Sequence, residues 1–168
     1  APPMLTYAAS FDLRTSGKVS PVKDQDPYGT CWSFATMASL ESCLLPGETA
    51  DYSEDNMVLT SGFGTFTDSL YAHGGNYWMS SAYLIRWGGP VTEAQDPYGD
   101  SITPPGLSAA KHVQQIRYIP GGASASDTAN IKYALTTYGA VATSIRWDDA
   151  AYRASPAASF YNTSSSGI

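Results

Sequence analysis

The stretch from Cys31 to Leu45 constrains the fold most. It is the chain's longest apolar run, broken only by Ser, Thr and Glu. Trp32, Ala35, Met37, Ala38, Leu40 and Leu44 supply an apolar face at helical spacing, and Pro46-Gly47 stops the pattern. A helix of this kind must bury that face against other elements. It is too short and too interrupted to cross a bilayer, which takes about 20 apolar residues. Upstream, Pro2, Pro3, Gly17, Pro21, Pro27 and Gly29 exclude a long helix, so the chain reads as an extended arm and loop, with a short extended piece at Val19 to Val22. The helix therefore opens abruptly after a glycine turn, with Cys31 in its first turn.

The 168 residues suit one domain, or two small lobes sharing a cleft, and a hydrophobic share of 43% excludes wholesale disorder. Nine basic against 15 acidic residues give a net charge of −6, which lacks the basic face that nucleic acid or an anionic membrane requires. The two cysteines, Cys31 and Cys43, stand 12 residues apart on one expected helix, hence about 18 Å along its axis. A disulfide needs Cα atoms within about 7 Å, so both thiols are expected to be free. Cys43 is expected to fill the core. His73 and His112 lack metal-ligand spacing and cysteine company, so neither a zinc site nor another cofactor is expected. Gly62-Phe63-Gly64 does not continue into a phosphate loop. The start, Ala1-Pro2-Pro3-Met4, has no basic and apolar signal region and reads as a mature or trimmed end.

Further along, Ser53 reads as the N-cap of a short second helix with acids in its first turn. Gly62 to Asn76 is a glycine-rich loop. A third helix is expected from Tyr77 to Trp87, closed by Gly88-Gly89-Pro90. Asp96 to Gly106 forms a Pro- and Gly-rich connection. Val113 to Ile119 and Ala140 to Ile145 carry strand-type residues, and a helix from Asp127, its cap, to Tyr138 lies between them, closed by Gly139. Asp148-Asp149 reads as a solvated turn, Asn162-Thr163-Ser164 as a glycosylation sequon, and the end from Ser155 as a Ser-, Ala- and Asn-rich tail. A helical half followed by the start of a β-rich half is an α+β fold.

Chemistry points to Val22 through Ala35. A helix N-terminus carries about half a positive charge and several unpaired N–H groups. That field favours a thiolate, and the same N–H groups can receive the oxyanion of an attacked carbonyl. Gln25, six residues before Cys31, carries an amide that can add a second donor. Nucleophile and donors together describe an acyl-transfer site. From these residues alone, a small buried hydrophobic Cys31 stays open as the alternative.

Gln25, Gly29, Cys31, Trp32, Phe34 and Ala35 stand at the spacing of the papain family of cysteine peptidases, which this stretch resembles. Phe11 to Arg14 and Gly17 to Gln25 resemble the family's opening motif, with Leu13 where Trp is usual. Ser53-Glu54 resembles its second helix, Gly74-Gly75 its glycine pair on the cleft wall, and Asp96-Pro97-Tyr98 its Tyr-Pro-Tyr turn. Ile131 to Leu135 with Gly139-Ala140-Val141 resembles the helix and strand that open its second lobe. The resemblance implies a two-lobed papain-like fold. Residues 1–15 would form an arm crossing to the second lobe, 16–108 the helical lobe, and 109–168 part of the β-rich lobe. Cys31 would be the nucleophile, and Gln25 with the Cys31 N–H the oxyanion hole. Gly74 and Gly75 would hold an extended peptide backbone, Asn76 and Tyr77 would lie near the pocket for the substrate residue two places before the scissile bond, and Trp32 would stand beside them. Peptides or proteins would be the substrates.

Three departures qualify what the resemblance implies. Tyr28 stands where the family has a disulfide-bonded Cys, and Ala72-His73 where its partner is usual. Thr30 replaces Ser. The family's catalytic His and the Asn that orients it are not found: the sequence given ends at Ser166-Gly167-Ile168, about where the His strand is expected. His73, on the helical side of the cleft, and His112, before the Val113 strand, are poor substitutes. A thiol needs a base to form its ion pair and to protonate the leaving amine. The base is therefore expected from a second chain or from a remainder of this one. The competing reading is a non-catalytic papain-like module that holds peptides or a partner; an adhesion domain using the Tyr-rich loops is a third. Low Lys and Arg content and high Ser, Thr and Tyr content, with the family's habits, point to a secreted or cell-surface protein.

Overall fold

The computed structural model describes residues 6–63, 70–122 and 124–145, and the backbone of 152–153 and 159–160. The Asp148-Asp149 turn, the Asn162 sequon and, apart from two residues, the tail from Ser155 lie outside the described residues. Helix α1 runs Cys31–Leu44, α2 Glu54–Thr60, α3 Tyr77–Ile85 and α4 Ala125–Thr137, with a 3-10 turn at Leu70–Ala72. A two-residue antiparallel ladder pairs β1, Tyr152–Arg153, with β2, Ser159–Phe160.

Helix α1 ends where Leu45 turns extended (φ −69°, ψ 149°) ahead of Pro46, as the residue before a proline must. Helices α2 and α3 pack against it. Between them sits a core of Trp32, Met37, Tyr52, Met57, Tyr71 and Tyr83. The face α1 buries is partly polar. Ser33, Met37 and Glu41, spaced by four, point inward with Trp32 and Ser42, whereas Ala38 is exposed. Each inward polar group is anchored. Ser33 Oγ donates to Thr30 O (2.9 Å). Ser42 Oγ donates to Lys18 O (2.6 Å) and accepts from Ala140 N (2.8 Å). Glu41 accepts from Tyr52 N (2.9 Å). These bonds pull the Lys18, Tyr52 and Ala140 segments onto α1, and they put Cys43 on the outside. The sequence expectation of a core-filling Cys43 is corrected: it is an exposed, free thiol, as is Cys31.

Helix α2 is capped by Ser53, whose Oγ accepts from Asn56 N. The cap of α4 is Ser124, with Asp127 returning the bond in a capping box, so Asp127 stands at the third helical residue rather than the cap expected for it. Among the described residues, the strands expected at 113–119 and 140–145 are not paired into a ladder. Val113 and Ile116 pack on the helical core instead. Trp87 Nε1 and Ser81 Oγ hold the strap by donating to Val113 O and accepting from the Tyr118 hydroxyl. Ala140 is tied to α1 through Ser39 and Ser42, while residues 141–145 are exposed. The arm reaches α4, where the Tyr7 hydroxyl donates to Ala129 O (3.4 Å).

Below α1 lies a charged core that the sequence reading missed. Lys23 Nζ donates to Tyr52 O (2.9 Å) and Glu54 (3.0 Å), pairs with Asp51 (2.7 Å) and lies 3.8 Å from Glu41. Burial opposes the Lys23 charge, but the three carboxylates outweigh it and raise its pKa. Burial pushes the Glu54 carboxyl up to about 7 against the pull of Lys23. The signal available was a Glu inside the apolar run of a chain only 14% charged.

Candidate active site at the start of the first helix

Cys31 is the first residue of α1 and is exposed. Its N-cap, Thr30, is fully buried, yet makes no side-chain bond to the helix. Ser33 N is satisfied by Thr30 O (2.9 Å). The thiol therefore sits where the helix dipole is positive, beside first-turn N–H groups that the N-cap side chain leaves open.

The wall beside it is built by two glycine approaches. Gly29 N donates to Tyr71 O (3.0 Å), which draws the turn before Cys31 onto the 3-10 turn. A Cβ on Gly29 would stand 3.5 Å from Gly74 N, so the two backbones run in contact. Gly74 has φ +63°, a conformation that favours glycine. Gly75 lies on the Trp32 indole: a Cβ there would stand 2.5 to 2.6 Å from three ring atoms. Trp32 is 8% exposed beneath it. Thus Cys31, Trp32, Gly29, Gly74 and Gly75 share one place, from segments more than 40 residues apart.

Gln25 is half-buried, and its Nε2 donates to Tyr28 O (2.7 Å), which leaves its second amide hydrogen. Asn76 is occupied as the N-cap of α3, its side chain accepting from Trp78 N (2.9 Å) and Met79 N (3.3 Å). Tyr77 is half-exposed in an aromatic group with Trp78 and Tyr118, ring centroids 5.0 to 5.9 Å apart. His73 is exposed on the loop that carries the glycine pair. His112 stacks on Trp87 beyond the end of α3 (4.4 Å, 10°).

The sequence did not reveal that three tyrosines cluster behind the site. Tyr28, Tyr71 and Tyr98 pack edge-on or tilted, with centroids 4.6 to 6.4 Å apart, and Phe34 of α1 meets Tyr98 at 4.8 Å. The Tyr98 hydroxyl touches both Thr30 Oγ1 (2.6 Å) and Gln25 O (3.1 Å). Scattered tyrosines carry no periodic signal, and only the turn resemblance at Asp96-Pro97-Tyr98 pointed there.

Comparison with known proteins bears on this arrangement. The description of the papain family cysteine proteases matches residues 7–164. Cysteine proteinase 5 of Dictyostelium discoideum is 38% identical over 93 residues, covering 54% of this chain and 26% of that protein. Mexicain of Jacaratia mexicana is 34% identical over 97 residues, covering 55% of this chain and 41% of mexicain. Digestive cysteine proteinase 3 of Homarus americanus is 39% identical over 95 residues, covering 54% and 28%. The matches thus span between about a quarter and two-fifths of those relatives. Among solved structures, digestive procathepsin L2 proteinase from the Tenebrio molitor larval midgut superposes with a TM-score of 0.54 at 28% identity, covering 66% of this chain and 36% of that one. A mite allergen structure superposes with a TM-score of 0.57 at 24% identity over 83% of this chain and 47% of that one, which speaks for the fold alone. With the family matched over nearly the whole sequence and a solved relative sharing its fold, this chain belongs to the papain family of cysteine proteases.

Proposed function

We propose that this chain carries the nucleophile side of a papain-like cysteine endopeptidase. The observation that supports this best is an exposed thiol at the first position of α1, with a backbone wall at Gly74-Gly75 lying on the adjacent Trp32. In the reaction, Cys31 Sγ attacks the scissile carbonyl carbon as a thiolate. The oxyanion is received by the Cys31 N–H and the remaining amide hydrogen of Gln25. Collapse expels the amine, which takes a proton from an imidazolium, and leaves a thioester; water then releases the acid and restores the thiolate. Gly74 and Gly75 hold the extended substrate, and Asn76 and Tyr77 border the pocket two residues before the scissile bond. The imidazole and its orienting Asn come from a later segment or a second chain. A secreted or cell-surface setting completes the reading, in keeping with the chain's low basic content; among the described residues no helix is long and apolar enough to cross a membrane.

Turnover of an unstructured peptide by the whole protein tests this. Activity that vanishes in Cys31→Ser supports it; turnover equal in both proteins overturns it. A peptide-holding module without catalysis is the second reading, favoured by the stacking of His112 on Trp87 rather than beside the thiol. It predicts saturable peptide binding without cleavage.

A further inference from the structure

The Tyr98 hydroxyl, 68 and 73 positions along the sequence from its two partners, joins two parts of the site: the N-cap of the nucleophile helix and the backbone of the oxyanion residue. The proton count fixes the direction of both bonds. A phenol has one hydrogen, and the Gln25 carbonyl can only accept, so Tyr98 donates to Gln25 O and Thr30 Oγ1 donates to Tyr98. Burial raises the Tyr98 pKa, against the Thr30 hydrogen bond, which keeps that hydrogen in place.

Two consequences follow. Thr30 is a residue type that ordinarily turns its hydroxyl inward to accept from the helix N–H groups. Here that hydroxyl is drawn outward to Tyr98, and the cap bond is not made. The Ser33 N–H is taken by Thr30 O, and the N–H groups of Cys31 and Trp32 therefore face a thiolate or an oxyanion without the Thr30 hydroxyl as a competitor. The same phenol also ties the Gln25 loop to α1 and so sets the spacing between the two oxyanion donors.

Tyr98 is built to do this without moving. Its own N–H donates to Glu93 Oε1 (2.9 Å). The next residue, Gly99, donates to Asp55 Oδ1 and to the Tyr71 hydroxyl, both at 3.3 Å. Two residues earlier, Asp96 O accepts from Ser53 Oγ (2.5 Å), and Asp96 Oδ2 accepts from Asn56 Nδ2 (2.8 Å). The loop is thus fastened to buried α2 on either side of a ring already held by Tyr71 and Phe34. We propose that Tyr98 is a positioning residue of this site, holding the Thr30 hydroxyl off the helix start and fixing Gln25 relative to Cys31. The inference rests on the peptidase reading, and it adds a residue that reaches the chemistry only through others.

Tyr98→Phe keeps the ring and removes both bonds; Thr30→Val removes the donor at nearly constant shape; Thr30→Ser restores it. The whole protein is assayed for kcat and KM on a peptide, for thermal midpoint, and for the iodoacetamide rate at Cys31 divided by that at exposed Cys43. The expected result for Tyr98→Phe is a kcat lower by about 10-fold with KM within about twofold, since small misplacements of catalytic groups cost 10- to 100-fold. The Cys31 to Cys43 alkylation ratio falls as well. Thr30→Val reproduces both effects, Thr30→Ser does not, and the double variant is no worse than either single one. An unchanged kcat, or a fall in kcat and thermal midpoint with the alkylation ratio held, overturns the proposal. Absence of any Cys31-dependent turnover in the unsubstituted protein overturns the peptidase reading instead; the alkylation ratio in Tyr98→Phe then still decides the bridge, a fall supporting it and no change overturning it.

Discussion

Asp55 is the position where a single substitution should stabilise this protein, and only at high pH. Its side chain is fully buried. Oδ1 accepts from Gly99 N at 3.3 Å, and Oδ2 has no partner among the described residues. Burial pushes its carboxyl up to about 7; Asp96, Asp100 and Glu93 push the same way, and the Gly99 N–H opposes them. In an unfolded chain the group ionises near 3.9. Between about pH 4 and pH 7 the folded protein therefore keeps a proton that the unfolded chain has released. Stability falls as pH rises through that window and is fully reduced above it. A shift of about 3 units corresponds to about 4 kcal/mol as an upper limit, at roughly 1.36 kcal/mol per unit. Asp55→Asn keeps an acceptor for Gly99 and removes the buried charge that Asp96, Asp100 and Glu93 oppose. The expected outcome is a gain of about 2 kcal/mol at pH 8, half the limit because local relaxation absorbs part of the penalty, and a change within about 0.5 kcal/mol at pH 4.5. Urea denaturation at both pH values measures this, with an unchanged slope required for a clean reading. Equal effects at the two pH values, or destabilisation at pH 8, would refute the reasoning.

Two further outcomes follow from the same structure. Lys23→Met leaves Glu41 and Glu54 buried without their cation; a loss of about 3 to 5 kcal/mol is expected at pH 8. Part of it returns at pH 5, because Glu54, already raised to about 7, takes up a proton there; the urea midpoint at each pH reports the difference. Gly75→Ala forces a methyl group into the Trp32 ring, costing about 1 to 3 kcal/mol by overpacking and raising KM for peptides; tryptophan fluorescence follows the displaced indole.

The helical half was legible because its signals are local. Pro46-Gly47 and the glycine turn before Cys31 bounded α1, and Ser53 announced α2 through the preference of hydroxyls for N-caps. The family's spacing from Gln25 to Ala35 carried the candidate site, and the structure brings Gly74-Gly75 to Trp32 next to Cys31. What the sequence hid is non-local. Periodicity assigned Ala38 to the buried face, and Cys43 was expected to fill the core, but buried bonds from Glu41 and Ser42 to loops 11 and 98 residues away turn α1 so that both residues face outward. Val113 to Ile119 has strand composition because it packs side chains on a core; nothing local says whether its backbone will find a partner strand. Asp127 and Ser124 differ only by which end of a reciprocal pair is the cap. The Tyr98 bridge joins residues 68 and 73 positions apart, beyond the reach of any spacing rule.

Cys31 and Cys43 make the decisive comparison possible, since both are exposed on the same helix, one at its first residue and the other one place before its last. Both thiols are open to a reagent, while the helix field has opposite sign at the two ends. Site-resolved mass spectrometry of iodoacetamide labelling at pH 6, in the whole protein, should find Cys31 modified at least about 10-fold faster than Cys43, with peptide turnover lost in step with Cys31 labelling. Equal rates at the two thiols, with turnover surviving full modification of Cys31, would contradict the assignment of Cys31 as the nucleophile.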